Sequence, residues 1–135
     1  MKLFILASML FCHIVDDYYL QGVLSDLKQK NWWKEKLIGS NLSFNKYKND
    51  WMIALAEHAF SWSFMVHLPI ALYMLYIGKF IGTAYALSLI LNTVIHCMVD
   101  NMKANKLSIN LVIDQLIHIS QVLVTWMFCV ISGFI

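Results

Sequence analysis

Seven side chains bring imidazole and carboxylate chemistry into stretches that are otherwise apolar: His13 and Asp17, His58, His96 and Asp100, and Asp114 and His118. Three of the pairs are spaced four residues apart, which puts both members on one face of a helix. Neutral imidazoles and carboxylates in that pattern are ligands for a divalent cation, zinc first, with manganese or iron as alternatives. The donor count exceeds one tetrahedral set, so either one or two ions fit it. Two ions would suit phosphoester hydrolysis with a bridging hydroxide as nucleophile. Asp17 then combines a ligand role with a catalytic one, and Glu57, beside His58, is the candidate general base at the margin. The bland alternative for Glu57 is an interfacial partner for a lysine. The sequence has no HExxH and no serine or cysteine elbow, which sets aside zincin-type proteolysis and covalent catalysis.

The elements that must carry these groups are apolar. The chain has 135 residues, of which 60% are hydrophobic and 13% charged, and its mean hydropathy is +0.64. Residues 2–24, 51–77, 80–102 and 110–135 each reach the roughly 20 residues that cross a bilayer core. A soluble bundle would show a polar face on every helix, and segments 64–77 and 85–91 show almost none. The expected fold is therefore all-α, a four-transmembrane-helix bundle forming one domain over 1–135. Ionisable groups inside membrane spans are costly, and they persist where they pair, bind something or line a polar path. The opening Met1-Lys2 and apolar 3–11 imitate a secretory signal. Phe11 is too large for a lipoprotein cleavage site before Cys12, and His13 and Asp17 follow at once, so 2–24 is read as an uncleaved first span. Cys12, Cys97 and Cys129 are odd in number and far apart, and they read as buried apolar residues. A net charge of +2 without any arginine argues against a nucleic-acid partner.

Lysines set the topology. Six (28, 30, 34, 36, 46 and 48) fall between spans one and two, and Lys103 and Lys106 between spans three and four. In a four-span chain those two connections share a side, so loops 25–50 and 103–109 are expected in the cytoplasm and both termini outside it, in a bacterial inner membrane. Trp32, Trp33 and Trp51 with Tyr18 and Tyr19 form an interfacial belt on the lysine-rich side. Residues 25–36 are either a basic helix lying on anionic lipid or a solvated loop. Residues 39–45 read as a turn.

On this topology all four spans deliver histidine or carboxylate groups to one depth, just inside the cytoplasmic leaflet. His13 and Asp17 lead one turn on to Gln21, a candidate supporting amide, while Asp16 reads as an ordinary juxtamembrane acid. Asn92 lies one turn deeper than His96. Lys103 either snorkels to the interface, the simpler reading, or pairs with Asp100 or an anionic substrate. Asn110 is better placed than Asp114 to cap span four, which leaves Asp114 for the centre. His67, deeper in span two, reads as a hydrogen bond to a neighbouring helix and stays outside the site. Pro69 is expected to kink its span and free the Met65 carbonyl.

These motifs resemble those of a family of small bacterial and phage integral membrane proteins of unknown function. His13, Asp17, Tyr18 and Gln21 match its His-x3-Asp-aromatic-x2-Gln. His96, Asp100 and Lys103 match a His-x3-Asp-x2-Lys, and Asp114, Gln115 and His118 match an Asp-Gln-x2-His. His58 fits the family's usual histidine early in span two. Where some members carry a second histidine one turn later, this chain has Trp62. The motifs are more distantly similar to membrane-bound metal-dependent hydrolases. The leading functional expectation from the residues is a metal-dependent hydrolase acting on a lipid-linked or membrane-adjacent ester or phosphoester. Two other functions stay open on the sequence: proton or cation transport through a His–Asp relay, and a non-enzymatic phage or bacterial envelope factor in which the polar groups only fasten helices. Membrane lipid is the expected partner, and the oligomeric state is left undetermined.

Overall fold

The computed structural model describes residues 1–38, 44–79 and 81–135. Most of the turn expected over 39–45 lies outside the described residues, as does Phe80. The helices are α1 (Lys2–Val15), which runs on as a π-helical turn (Asp16–Leu20), α2 (Leu24–Leu27), α3 (Lys30–Leu37), α4 (Phe44–Tyr47), α5 (Asp50–Tyr76), α6 (Gly82–Ala104) and α7 (Leu111–Ile131). No strand occurs among the described residues. Four helical stretches are long and apolar enough to cross a membrane: Lys2–Leu20, Asn45–Tyr76, Gly82–Ala104 and Leu111–Ile131. Helices α1, α5, α6 and α7 each pack on their neighbours in sequence, and α7 closes back on α1, giving an all-α four-helix bundle.

Glycines mark where the spans stop. The first ends at Leu20, short of 24, and Gly22 turns the chain with φ +45°. The second and fourth end in Schellman motifs, in which a left-handed glycine lets two following amides close back on the last turn. At Gly78 the Lys79 N–H donates to the Met74 carbonyl at 2.9 Å, and at Gly133 the Phe134 N–H donates to the Cys129 carbonyl at 2.9 Å. Helix α7 thus stops at Ile131 rather than at 135. Helix α5 continues through Pro69 to Tyr76 as one element.

Burial runs opposite to that of a water-soluble bundle. Phe4, Phe11, Leu72, Leu75, Leu87, Leu91, Leu116 and Val124 face outward, while His, Asp, Asn and Gln side chains face inward. An apolar shell around a polar interior matches hydrocarbon as the solvent, so the fold is compatible with an integral membrane protein. Half of the bundle has an apolar core, built on Ile5, Met9, Val66, Ile70, Met74, Val122 and Cys129. Trp62 forms its boundary with the polar half.

The two lysine-bearing connections meet at the polar end. The Lys30 amide donates to Asn105 Oδ1 at 2.7 Å, and Asn105 Nδ2 donates to the Lys28 carbonyl at 3.1 Å. Residues 25–36 form two helices rather than one, because Gln29 adopts extended angles (φ −94°, ψ 118°). That break turns Lys28 into the bundle.

Asn110 caps α7 by accepting the Ile113 N–H at 3.0 Å. Asn110→Ala removes that acceptor and is expected to cost about 1 kcal/mol. Thermal unfolding in detergent should show the lower midpoint, and an unchanged midpoint would mean that the cap contributes nothing.

Candidate metal centre

Five side chains from four helices point their donor atoms at one spot. His58 Nε2 lies 3.4 Å from Asp17 Oδ1, 3.3 Å from His96 Nε2 and 3.4 Å from Asp100 Oδ2. His96 Nε2 lies 3.9 Å from Asp17 Oδ1 and 3.6 Å from Asp100 Oδ1. His118 Nε2 lies 3.1 Å from Asp100 Oδ1. Donors each about 2.0–2.1 Å from a tetrahedral ion stand about 3.3–3.4 Å apart, so these spacings are those of a ligand shell. Two overlapping sets result, Asp17/His58/His96 and His96/Asp100/His118, and either could hold a metal ion. All five residues are buried.

The surroundings orient the rings. His118 Nδ1 donates to Gln121 Oε1 at 3.1 Å and its Nε2 donates to Asp100 Oδ1 at 3.1 Å, since both oxygens only accept, and binding an ion there would displace the Nε2 proton. Asp16 Oδ2 stands 3.7 Å from His58 Nδ1 on the far side of that ring, while Asp16 Oδ1 accepts from Ser61 at 2.6 Å. At that distance the carboxylate is an electrostatic neighbour of the ring without a hydrogen bond to it. Gln115 Nε2 donates at 3.1 Å to both Asp17 Oδ2 and Asp114 Oδ2. Trp62 stacks on His96 (centroids 4.2 Å apart) and His96 on His118 (3.9 Å), so the imidazoles lie on an indole floor. Asp16 Oδ2, His58 Nδ1, His96 Nδ1 and Asp114 Oδ1 are buried without a hydrogen-bond partner. Native interiors rarely leave such groups unsatisfied; of these only Asp114 Oδ1 faces the donor set, while His58 Nδ1, His96 Nδ1 and Asp16 Oδ2 lie behind the rings that turn Nε2 to it.

The outcome differs among the residues singled out from the sequence. Asp17, His58, His96, Asp100 and His118 converge. Asp114 is buried beside them, with Oδ1 3.5 Å from His118 Nε2 and Oδ2 2.5 Å from Lys103 Nζ. His13 is also buried there, but Trp62 Nε1 donates to its Nδ1 at 2.8 Å. An indole N–H can only donate, so that lone pair is spent, and His13 borders the ligand sets without joining either. Glu57 is exposed on the outer face of α5, because adjacent helical residues diverge by about 100° and His58 takes the inward position. Gln21 bonds back to the Asp17 carbonyl rather than to the centre. Lys103 does not snorkel; its ammonium pairs with Asp114 rather than Asp100.

Three members escaped the sequence reading. Asp16 is 1% exposed rather than juxtamembrane. Relative to His13 it is three residues on and Asp17 four, so the two straddle one face, Asp16 toward α5 and Asp17 toward α6 and α7. The i+3 spacing was the available signal. Lys28, 5% exposed, reaches in to Asp100 Oδ2 at 2.5 Å, and Trp62 forms the floor. Neither spacing nor composition marks those two.

A polar ladder leads deeper. Gln121 Nε2 donates to Asn92 Oδ1 at 3.3 Å, and Asn92 Nδ2 donates to Thr125 Oγ1 at 3.0 Å. His67, as expected, bonds a neighbouring helix, through Nε2 to Ser88 Oγ at 2.8 Å. The amides of Gln121 and Asn92 donate and accept at fixed atoms and do not readily exchange those roles. The ladder therefore holds His118 in place and makes a poor proton wire.

No protein-family model, curated protein or solved structure matches this chain. The centre is read from its own geometry.

Trp62→Phe keeps an aromatic floor but removes the donor to His13, leaving a buried acceptor unpaired. The expected loss is about 1–3 kcal/mol, against about 3–5 kcal/mol for Trp62→Ala, which also opens a cavity. Thermal unfolding of both variants measures the difference, and a neutral Trp62→Phe would show that the N–H bond does not hold His13.

Proposed function

We propose that this chain is a membrane-embedded divalent-metal protein acting as a metal-dependent hydrolase on a lipid-linked or membrane-adjacent ester or phosphoester. One observation carries the metal reading: Asp17, His58, His96, Asp100 and His118, delivered by four helices, gather buried donor atoms in two overlapping groups that could each hold a metal ion. Nitrogen and oxygen donors of this kind suit zinc, with manganese or iron as alternatives.

Hydrolysis is the chemistry such a centre suits. A divalent ion in a dry pocket polarises an ester oxygen and makes water acidic enough to attack at neutral pH. With Glu57 outside the bundle, the proton-accepting role passes to the inward carboxylates. Asp17 was the other catalytic candidate. Asp114 Oδ1 now joins it, buried at the edge of the donor set with no hydrogen bond of its own. A lipid-borne substrate is supported by a groove of about 670 Å³ between α1 and α7. Leu10, Ile14 and Ile119 make its apolar wall, Tyr18 lies at one end, and His13 and Gln115 supply its polar contact with the centre. It opens toward the surface that acyl chains would cover. We assign the polar end of the bundle to the cytoplasmic side of a bacterial inner membrane, on the lysine excess of its two connections.

Transport is the weaker reading, because the deeper polar groups end in amides. The envelope-factor reading, with a purely structural His–Asp network, is separated by experiment. Protein purified without chelator is expected to carry a transition metal, read by elemental mass spectrometry. His96→Ala should lose it while remaining helical and monodisperse. Asp16→Asn should weaken binding about 10–100-fold through His58, and Glu57→Gln should leave it unchanged. Metal-free wild-type protein would sink the proposal, and unfolding of His96→Ala in a metal-free background would favour the structural role.

A further inference from the structure

The centre carries more cationic side chains than a metal site with spare ligands needs. Lys28 and Lys103 both place their ammonium groups 2.5 Å from a carboxylate oxygen, Asp100 Oδ2 and Asp114 Oδ2 respectively. Lys103 and its aspartate lie on α6 and α7, and Lys28 reaches Asp100 from the end of α2. Asp17 is held by Gln115, which is uncharged. The two possible ligand sets also share His96, whose Nε2 has a single lone pair and can serve one ion only.

We propose that the centre takes one divalent ion, seated on the Asp17/His58/His96 face, and that Lys28 and Lys103 stand where a second ion would otherwise bind, against Asp100 and Asp114. This inference rests on the metal-binding reading above and settles a point that reading leaves open, the number of ions.

Three observations point the same way. The first is charge. Four aspartates, 16, 17, 100 and 114, are buried at the centre, Lys28 is buried with them, and Lys103 reaches in from a half-buried position. The two ammoniums cancel half of the carboxylate charge, so a single divalent cation suffices for the rest. A second ion would leave the pocket positive, and uncompensated charge is costly in a medium of low dielectric. The second is ligand supply. With one oxygen each turned to a lysine, Asp100 and Asp114 offer the α7 side only Oδ1 atoms, both aimed at the same His118 nitrogen, at 3.1 and 3.5 Å. Among the described residues no lysine pairs with Asp17, whose ionic neighbours are His13, His58 and His96. The third is anchoring. Lys28 is not a loose surface lysine: it is 5% exposed, its carbonyl is held by Asn105, and the Gln29 break aims its side chain inward. Tethered cations of this kind occupy a second site permanently.

The test is stoichiometry. Metal-stripped protein is titrated with Mn²⁺ and followed by elemental analysis and electron paramagnetic resonance. Wild type is expected to bind one equivalent and show the hyperfine sextet of an isolated Mn²⁺. The Lys28→Met/Lys103→Met double variant should take up a second equivalent, with the broadened spectrum of a spin-coupled pair. Asp17→Asn should weaken the single ion about a hundredfold or more, and Asp114→Asn about tenfold or less, since Asp114 lies on the lysine side. Two equivalents in wild type would overturn the inference and leave the metal reading standing, whereas none would defeat the metal reading itself. A double variant that still takes only one ion would refute the part given to the lysines. Should that variant not fold, the wild-type count and the Asp17/Asp114 contrast decide the matter.

Discussion

The structure depends on how four buried carboxylates are neutralised inside a bundle whose outer surface is hydrocarbon-like. In such a surrounding an unpaired carboxylate is far costlier than any single packing defect. Every other feature of the polar half follows from meeting that cost. Imidazoles, two ammoniums and the amide of Gln115 crowd the aspartates, Gln121 and Asn92 stand behind His118, and each helix contributes because no single helix face can supply them all.

The remaining architecture serves that centre. The apolar half of the bundle, from Ile5 to Cys129, holds the helices close, and Trp62 divides it from the polar half by lying flat beneath His96. Helices α2 and α3 do more than link two spans. Through Asn105 they are hooked to the end of α6, and the break between them carries a cation into the interior. The amide ladder below His118 extends the polar interior toward mid-bundle. Its chemistry stiffens a ligand rather than conducting protons, which is why depth alone does not argue for transport.

Much of this was legible in the residues. Hydropathy and length identified four spans, the lysines paired the first and third connections at one end, and the i,i+4 His–Asp spacings identified the faces that meet. Where reading failed, a tertiary fact intervened. His13 has the right spacing for a ligand, but the indole of Trp62, on another helix, spends its nitrogen. Asp16 reads in the sequence as a juxtamembrane acid and Glu57 as a base at the margin of the centre. Asp16 lies within the inward arc because i+3 and i+4 flank the same face, and Glu57 falls outside it because His58 occupies the inward position. Lys28 was counted with the topological lysines, and only the backbone break at Gln29 and the grip of Asn105 turn it inward. Lys103 was given to the interface, and its partner proved to be an aspartate on the next helix.

X-ray absorption at the metal edge of the purified protein tests the central claim most directly. The account predicts a first shell of nitrogen and oxygen alone at about 2.0–2.1 Å, with the outer-shell scattering of several imidazoles. A shell containing sulfur, a spectrum of hydrated metal without imidazole scattering, or no metal edge at all would contradict it.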